Sequence, residues 1–148
     1  MKNHLVVIGA GGHGGVVADI AEKSGYTQIV FLDDNASSKE CVGYPVVGTL
    51  SDIRRFSTSD FIVAIGNPEI RERITRLIDD KRLVTLIHPS AVIAKSVKIG
   101  KGTVIMAGAV INPETVIGCG CIINTCSSVD HNSVISDFVH ISIGAHLG

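Results

Sequence analysis

The sequence predicts a chain in two parts: an α/β half built on a small parallel sheet, then a solenoid of short parallel strands. Three observations carry this. Strand-like and helix-like stretches alternate with short connections through the first half. A glycine cluster, Gly9-Ala10-Gly11-Gly12-His13-Gly14, stands between the first apolar run and the first helical segment. From Ile93 to Leu147 an aliphatic residue returns at every sixth position.

In the first half, Leu5-Val6-Val7-Ile8 is a continuous apolar run, as expected of a strand buried on both faces. A helix is predicted over residues 15–24, stopped by Gly25. The second strand, Ile29-Val30-Phe31-Leu32, ends in Asp33-Asp34. Residues 35–49 read as loop with a short strand near Pro45-Val46-Val47, followed by a short helix over 50–56. A strand over 61–65 runs into Gly66-Asn67-Pro68. There Asn67 is placed to cap, and Pro68 to begin, a helix whose apolar face is Ile70, Ile74, Leu77 and Ile78. A last short strand over 84–87 and the turn His88-Pro89 lead into the solenoid, which puts the boundary between domains 1–84 and 85–148.

The solenoid rests on ten positions in register: Ile93, Ile99, Ile105, Ile111, Ile117, Ile123, Val129, Ile135, Ile141 and Leu147. Two places before each stands a small or β-branched residue, from Ala91 and Val97 to Val139 and Ala145. Sites two apart point to the same side of a strand, so both sets face one core. Gly100, Asn112, Gly118, Asn124 and Gly148 follow the large aliphatics, where a chain turning a corner takes a permissive backbone. The residues between the inward pairs face outward: Val92, Lys98, Val104, Val110, Val116, Ile122, Ser128, Val134, His140 and His146. Such a valine row forms an apolar patch of the kind a second copy covers.

Composition narrows the setting. The 148 residues carry a formal net charge of −1, with no basic patch, so neither nucleic acid nor an anionic membrane is an expected partner. No apolar run is long enough to span a bilayer, and Met1-Lys2-Asn3 opens no signal peptide. Four cysteines without a disulfide framework fit a reducing compartment, and the cytoplasm is the expected location. Cys119, Cys121, Cys126 and His131 lie close in sequence, but Cys121 occupies an inward slot and the spacing matches no paired-ligand pattern. No metal site is expected.

Gly9, Gly11 and Gly14 match G-x-G-x-x-G, with Asp33 at the end of the next strand. The chemistry is anion binding: glycines let backbone approach a phosphate, and a helix N-terminus supplies N–H groups and positive potential. Taken alone the motif predicts NAD. Against NAD, the domain has roughly half the length of a full dinucleotide fold, and His13 puts a polar ring beside the ligand. A phosphate-bearing ligand other than NAD is the preferred reading; a tight strand–helix turn with no ligand is its bland alternative.

His131 follows the inward Val129 by two places, in the slot held elsewhere by Lys95, Lys101, Pro113, Thr125 and Asp137. That slot points away from the core. Unperturbed imidazole titrates near pH ~6.5 and so can take a proton at neutral pH; a solvated corner histidine is the competing reading. A base of this kind is oriented by a second group, and Asn132 and Asp130 are both within reach in sequence.

Taken together, the G-x-G-G-H-G turn, F-L-D-D at 31–34, A-I-G-N-P-E-I-R at 64–71 and S-V-D-H-N at 128–132 inside hexapeptide repeats resemble the sialic acid and bacillosamine acetyltransferases. These are sugar O- and N-acetyltransferases with a small Rossmann-like N-terminal domain. The resemblance implies a left-handed parallel β-helix of three hexads per coil, acetyl-CoA as co-substrate and a sugar or nucleotide-sugar substrate. It further implies a homotrimer with active sites between adjacent solenoids. It makes His131 the catalytic base and His140 a contact to acetyl-CoA, and it places Gly11, Gly12, His13, Asp33, Asp34 and Gly66, with Asn67 beside it, in the sugar-nucleotide pocket. Many members carry an acidic residue just after the histidine, where this chain has Asn132.

Members also continue for several more coils, whereas this chain stops at Gly148 without a polar terminal repeat, so it reads as truncated. Two functions follow. One is an acetyl-CoA-dependent sugar acetyltransferase working by direct transfer; the other is a nucleotide-sugar-binding module without catalysis. An oxidoreductase stands third.

Overall fold

A computed structural model describes Lys2 and residues 4–148. It divides into two compact units, Met1–Val84 and Thr85–Gly148.

The first unit is organised on strand β1 (Leu5–Ile8), every residue of which is buried. It lies between β2 (Ile29–Leu32) and β5 (Asp60–Val63), parallel to both. Beyond β2 lies β4 (Tyr44–Gly48), also parallel, and the two-residue β3 (Glu40–Cys41) closes that edge antiparallel. The order is β3-β4-β2-β1-β5. Packing of Val6, Ile8, Leu32, Phe61, Val63 and Ile74 makes one core of this unit.

Helix α1 spans Gly12–Lys23 and thus begins earlier than residue 15. Glycine is a poor helix former by about 1 kcal/mol, which is why the pattern put the loop too far along; close packing outweighs that cost here. A Cβ at Gly14 would lie 2.0 Å from the Gly9 carbonyl oxygen, so the first helical turn can sit against the strand end only as glycine. A 3-10 helix, Leu50–Phe56, is opened by a reciprocal cap between Thr49 and Asp52. Helix α2, Pro68–Thr75, is capped by Asn67, whose Oδ1 accepts the Ile70 N–H at 2.9 Å. It stops before the predicted apolar face is complete: Leu77 lies beyond the last turn and is exposed, while Ile74 and Ile78 stay buried.

The second unit is a left-handed parallel β-helix. Its strands are β6 (Leu86–Ile87), β7 (Val92–Ile93), β8 (Lys98–Ile99), β9 (Val104–Ile105), β10 (Val110–Ile111), β11 (Val116–Ile117), β12 (Ile122–Ile123), β13 (Ser128–Val129), β14 (Val134–Ile135), β15 (His140–Ile141) and β16 (His146–Leu147). They form three sheets, β7-β10-β13-β16, β8-β11-β14 and β6-β9-β12-β15, in which partners are eighteen residues apart. Each triangular coil is therefore three hexads. The inward ladder is the predicted one, and Ile105, Ile111, Ile117, Ile123, Val129, Ile135 and Ile141 form its buried core. Inward hydroxyls are satisfied by backbone: Thr103 Oγ1 donates to Gly118 O and Thr115 Oγ1 to Asp130 O, each at 2.8 Å.

Three expectations need correction. The segment read as a last strand of the first half, Leu86–Ile87, pairs with β9 and opens the solenoid; Ile87 stands one hexad before Ile93 and belongs to the same ladder. The corners with positive φ fall three places after the large aliphatic, at Gly102, Gly108, Glu114, Gly120, Cys126, Asn132, Phe138 and Gly144, and not at the next place. Gly100 and Gly118 are small for another reason: a Cβ at Gly100 would meet Cys119 N at 2.5 Å, and one at Gly118 would meet Asp137 N at 2.6 Å. The outward row is also not one patch. Successive hexads lie on different faces, and Val104 and Ile122 are 1 % and 2 % exposed. The open valines are Val92 on one face and Val116 and Val134 on another.

Candidate active site

His131 stands at the corner after β13, exposed, in the slot the register assigned to it. The coil beneath holds that corner still. Asn112 Nδ2 donates to Asp130 Oδ1 at 2.9 Å, Thr115 Oγ1 donates to Asp130 O at 2.8 Å, and Asn132 N donates to Pro113 O at 3.0 Å. Asp130 Oδ1 also accepts the His131 N–H at 2.8 Å. Asn132 has φ +58, a left-handed conformation that asparagine tolerates better than most residues. From there its Oδ1 lies 2.8 Å from His131 Nδ1. A carbonyl oxygen only accepts, so this contact keeps the ring proton on Nδ1 and leaves the lone pair on Nε2.

Asp130 Oδ2 lies 3.9 Å from His131 Nε2. The Asn112 hydrogen bond, followed by that from the His131 N–H, holds the Asp130 carboxyl below the usual carboxylate range. A permanent negative charge thus faces the atom that would become protonated. Both neighbours of His131 thus meet its ring, Asn132 Oδ1 at Nδ1 and Asp130 Oδ2 on the Nε2 side. Asn112 and Thr115 were missed by sequence reasoning. Their signal was the eighteen-residue offset, which becomes readable once three hexads are known to make one coil.

His140 stands outward on β15, with Nε2 2.9 Å from Asn124 Nδ2. His131 and His140 leave different faces of the coil.

In the first unit the predicted pocket residues separate. A cavity of about 350 Å³ at the ends of β1 and β2 is lined by Gly9, Asp33, Asp34, Asn35, Leu50 and Arg73 among others. A second, of about 570 Å³, is bordered by Gly11, Gly12, Gly15, Cys41 and Val42. His13 sits half-buried in the first turn of α1. Gly66 and Asn67 line neither: Gly66 O accepts Arg71 Nη1 at 2.9 Å, and Asn67 is spent on its cap. Asp33 is a clamp on the glycine loop, Oδ2 accepting from Ala10 N and Oδ1 from Asn35 N, both at 2.7 Å. Asp34 Oδ1 accepts from Leu50 N at 2.9 Å. Arg73, in the cavity wall, was not singled out from sequence. Among the described residues no group of three or more metal-ligating side chains gathers, and no helix is long and apolar enough to cross a membrane.

Residues 4–78 match the family model described as PglD N-terminal domain. The chain belongs to this family. Among curated proteins, UDP-N-acetylbacillosamine N-acetyltransferase of Bacillus subtilis (strain 168) is 39% identical over 118 residues, covering 72% of this chain and 52% of its own. The chain thus spans about half the length of that curated relative. Among solved structures, the acetyltransferase domain of PglB from Neisseria gonorrhoeae FA1090, in complex with acetyl coenzyme A, is 44% identical with a TM-score of 0.95, over 100% of this chain and 74% of that one. A histidine-to-alanine mutant of GDP-perosamine N-acetyl transferase from Caulobacter crescentus, in complex with CoA and GDP-perosamine, is 34% identical with a TM-score of 0.89, over 99% of this chain and 71% of that one.

Proposed function

We propose that this protein is an acetyl-CoA-dependent N-acetyltransferase acting on the amine of a nucleotide-linked sugar, with His131 as general base. The observation that carries the reading is the His131 corner: an exposed imidazole with Nδ1 held by Asn132 Oδ1 and Nε2 facing the Asp130 carboxylate. Acetyl-CoA supplies the acyl group as a thioester. Nε2 takes the proton from the sugar amine as its nitrogen bonds the acyl carbon, the carbon–sulfur bond breaks, and the proton passes to the departing thiolate. The Asp130 charge stabilises the imidazolium in between.

The nucleotide lies in the first unit, with phosphates over the glycine loop, where the amides at Gly11 and Gly12 open α1. A Cβ on either glycine would meet nothing of the protein within 4 Å, which leaves room for a ligand to approach the backbone. His140, held by Asn124, is the contact we assign to acetyl-CoA. The protein works as a cytoplasmic homotrimer: His131 and His140 leave different faces, so a second copy brings one to the other, and the open Val92, Val116 and Val134 give that copy an apolar surface. The likeness to a domain bound to acetyl coenzyme A supports this reading.

The test is a thiol-release assay on the full gene product with acetyl-CoA and UDP- or GDP-linked amino sugars. Thiol release that requires the amino sugar, with an acetylated amine found by mass spectrometry, is the expected outcome. Nucleotide-sugar binding with no acetyl transfer to any amino sugar would favour the binding-module reading.

A further inference from the structure

A second imidazole stands at another corner of the solenoid, and a serine hydroxyl rests on it. His88 and Ser90 flank Pro89 in the turn between β6 and β7. His88 Nδ1 lies 3.0 Å from Ser90 N and 2.8 Å from Ser90 Oγ. A backbone N–H only donates, so Nδ1 is the bare nitrogen of this ring and the proton sits on Nε2. The Ser90 hydroxyl therefore donates to Nδ1 as well, while its oxygen accepts from Gly108 N at 3.2 Å. The turn is closed without the hydroxyl, by Ala91 N donating to His88 O at 2.9 Å. An exposed nucleophile within hydrogen-bond reach of a base, with a further group orienting that base, is the arrangement of nucleophilic catalysis. Here the orienting group is the Ser90 N–H. Ser128 Oγ makes a similar contact with His146 Nδ1 at 2.8 Å, but among the described residues no backbone N–H fixes that nitrogen as the acceptor.

The pair also stands on the edge of the solenoid that carries the assigned acetyl-CoA contact. His88, Met106 and Asn124 hold the same place in successive coils, their N–H groups donating to Ile105, Ile123 and Ile141 O. Asn124 is the residue that holds His140. With strands about 4.8 Å apart, His88 lies roughly 10 Å below Asn124. Resting on acetyl-CoA as the acyl donor of the reading above, we propose that the protein acetylates its own Ser90, with His88 as the base. Nδ1 takes the hydroxyl proton as Ser90 Oγ bonds the thioester carbonyl carbon. The carbon–sulfur bond then breaks, and the departing thiolate takes that proton from Nδ1. CoA leaves as a free thiol, Ser90 is left as its acetyl ester and His88 is neutral again. Nothing beyond acetyl-CoA is consumed.

Peptide mass spectrometry of the full gene product, incubated with acetyl-CoA alone, reads the step. An acetyl group should appear on the peptide carrying Ser90 and be absent from Ser90→Ala. His88→Asn is the sharper variant. Its amide oxygen takes the place of Nδ1 as acceptor for Ser90 N, so the turn stands, but an amide cannot carry the proton. Labelling of Ser90 should then slow by about 10²-fold or more. A histidine that only ties the turn predicts labelling at the parent rate in His88→Asn, and that result would overturn the proposal. Acetyl groups on lysines with none on Ser90, or a label on Ser128 in place of Ser90, would overturn it too. Thiol release that requires an amino sugar would leave the acetyltransferase reading standing in each of those cases. No label on Ser90 together with no sugar-dependent thiol release would sink both.

Discussion

The two units position their chemistry in different ways. In the first, the cavity-lining polar groups stand on loops at the strand ends, and the loops are held by acids reaching to backbone: Asp33 to Ala10 N, Asp34 to Leu50 N, Asp52 to Thr49 N. In the solenoid, His131 stands on a two-residue corner and is held from directly below by Asn112, Pro113 and Thr115. The difference teaches where to look for supporting residues. Around a loop they are close in sequence or across a strand; around a coil corner they lie eighteen or so residues back, whatever stands between.

That contrast can be broken at its strongest point, the glycine loop. Gly14→Ala should cost at least about 3 kcal/mol, because its Cβ would collide with backbone at Gly9 and not with a movable side chain. Gly11→Ala, three residues away, meets open space. It should melt like the parent while nucleotide binding falls, both read by thermal denaturation and calorimetry. If both variants melt alike, the close helix–strand approach is wrong.

In the solenoid the next largest effect is in the ladder. Ile123, fully buried between Ile105 and Ile141, should cost ~2–5 kcal/mol on truncation to alanine. Chemical denaturation measures it. Removing a cap in the first unit is smaller: Asn67→Ala frees one N–H at the start of α2 and should cost about 1 kcal/mol.

The smallest change in stability, and the sharpest for the corner, is Asn112→Ala. Asp130's carboxyl is depressed in the folded chain, so its contribution is present above the unfolded value of about 3.9 and is lost as pH falls through the lower folded one. Without the Asn112 hydrogen bond, the Asp130 titration followed by carboxyl NMR should move up toward that value, with the melting temperature at pH 7 nearly unchanged. An unmoved titration would mean that the coil below does not tune this carboxylate.

How much was legible follows the same division. The ladder was readable residue by residue, because an inward slot on a two-residue strand admits only an aliphatic, and His131 was excluded from the core by counting alone. The corners were not. Searching for glycine as the sign of a left-handed backbone finds Gly100 and Gly118, which are glycine for lack of room, and passes over Glu114, Cys126, Asn132 and Phe138, which adopt φ near +60 without being glycine. In the first unit the glycine motif located the tight turn between β1 and α1. The roles of Asp33 and Asp34 depended on which backbone N–H each one meets across the fold, and no local pattern encodes that. Leu77 was misassigned because an apolar period continues past the residue where the helix ends.

The central claim is that the His131 imidazole, held by Asn132 and facing Asp130, accepts the proton during acetyl transfer. The pH dependence of kcat for the full gene product and its His131→Ala variant tests it most directly. Turnover in the variant should fall by about 10²–10⁴, KM for both substrates should change little, and the acidic limb of the profile should disappear. Turnover close to the parent, with the acidic limb intact, would contradict the account and return His131 to a solvated corner.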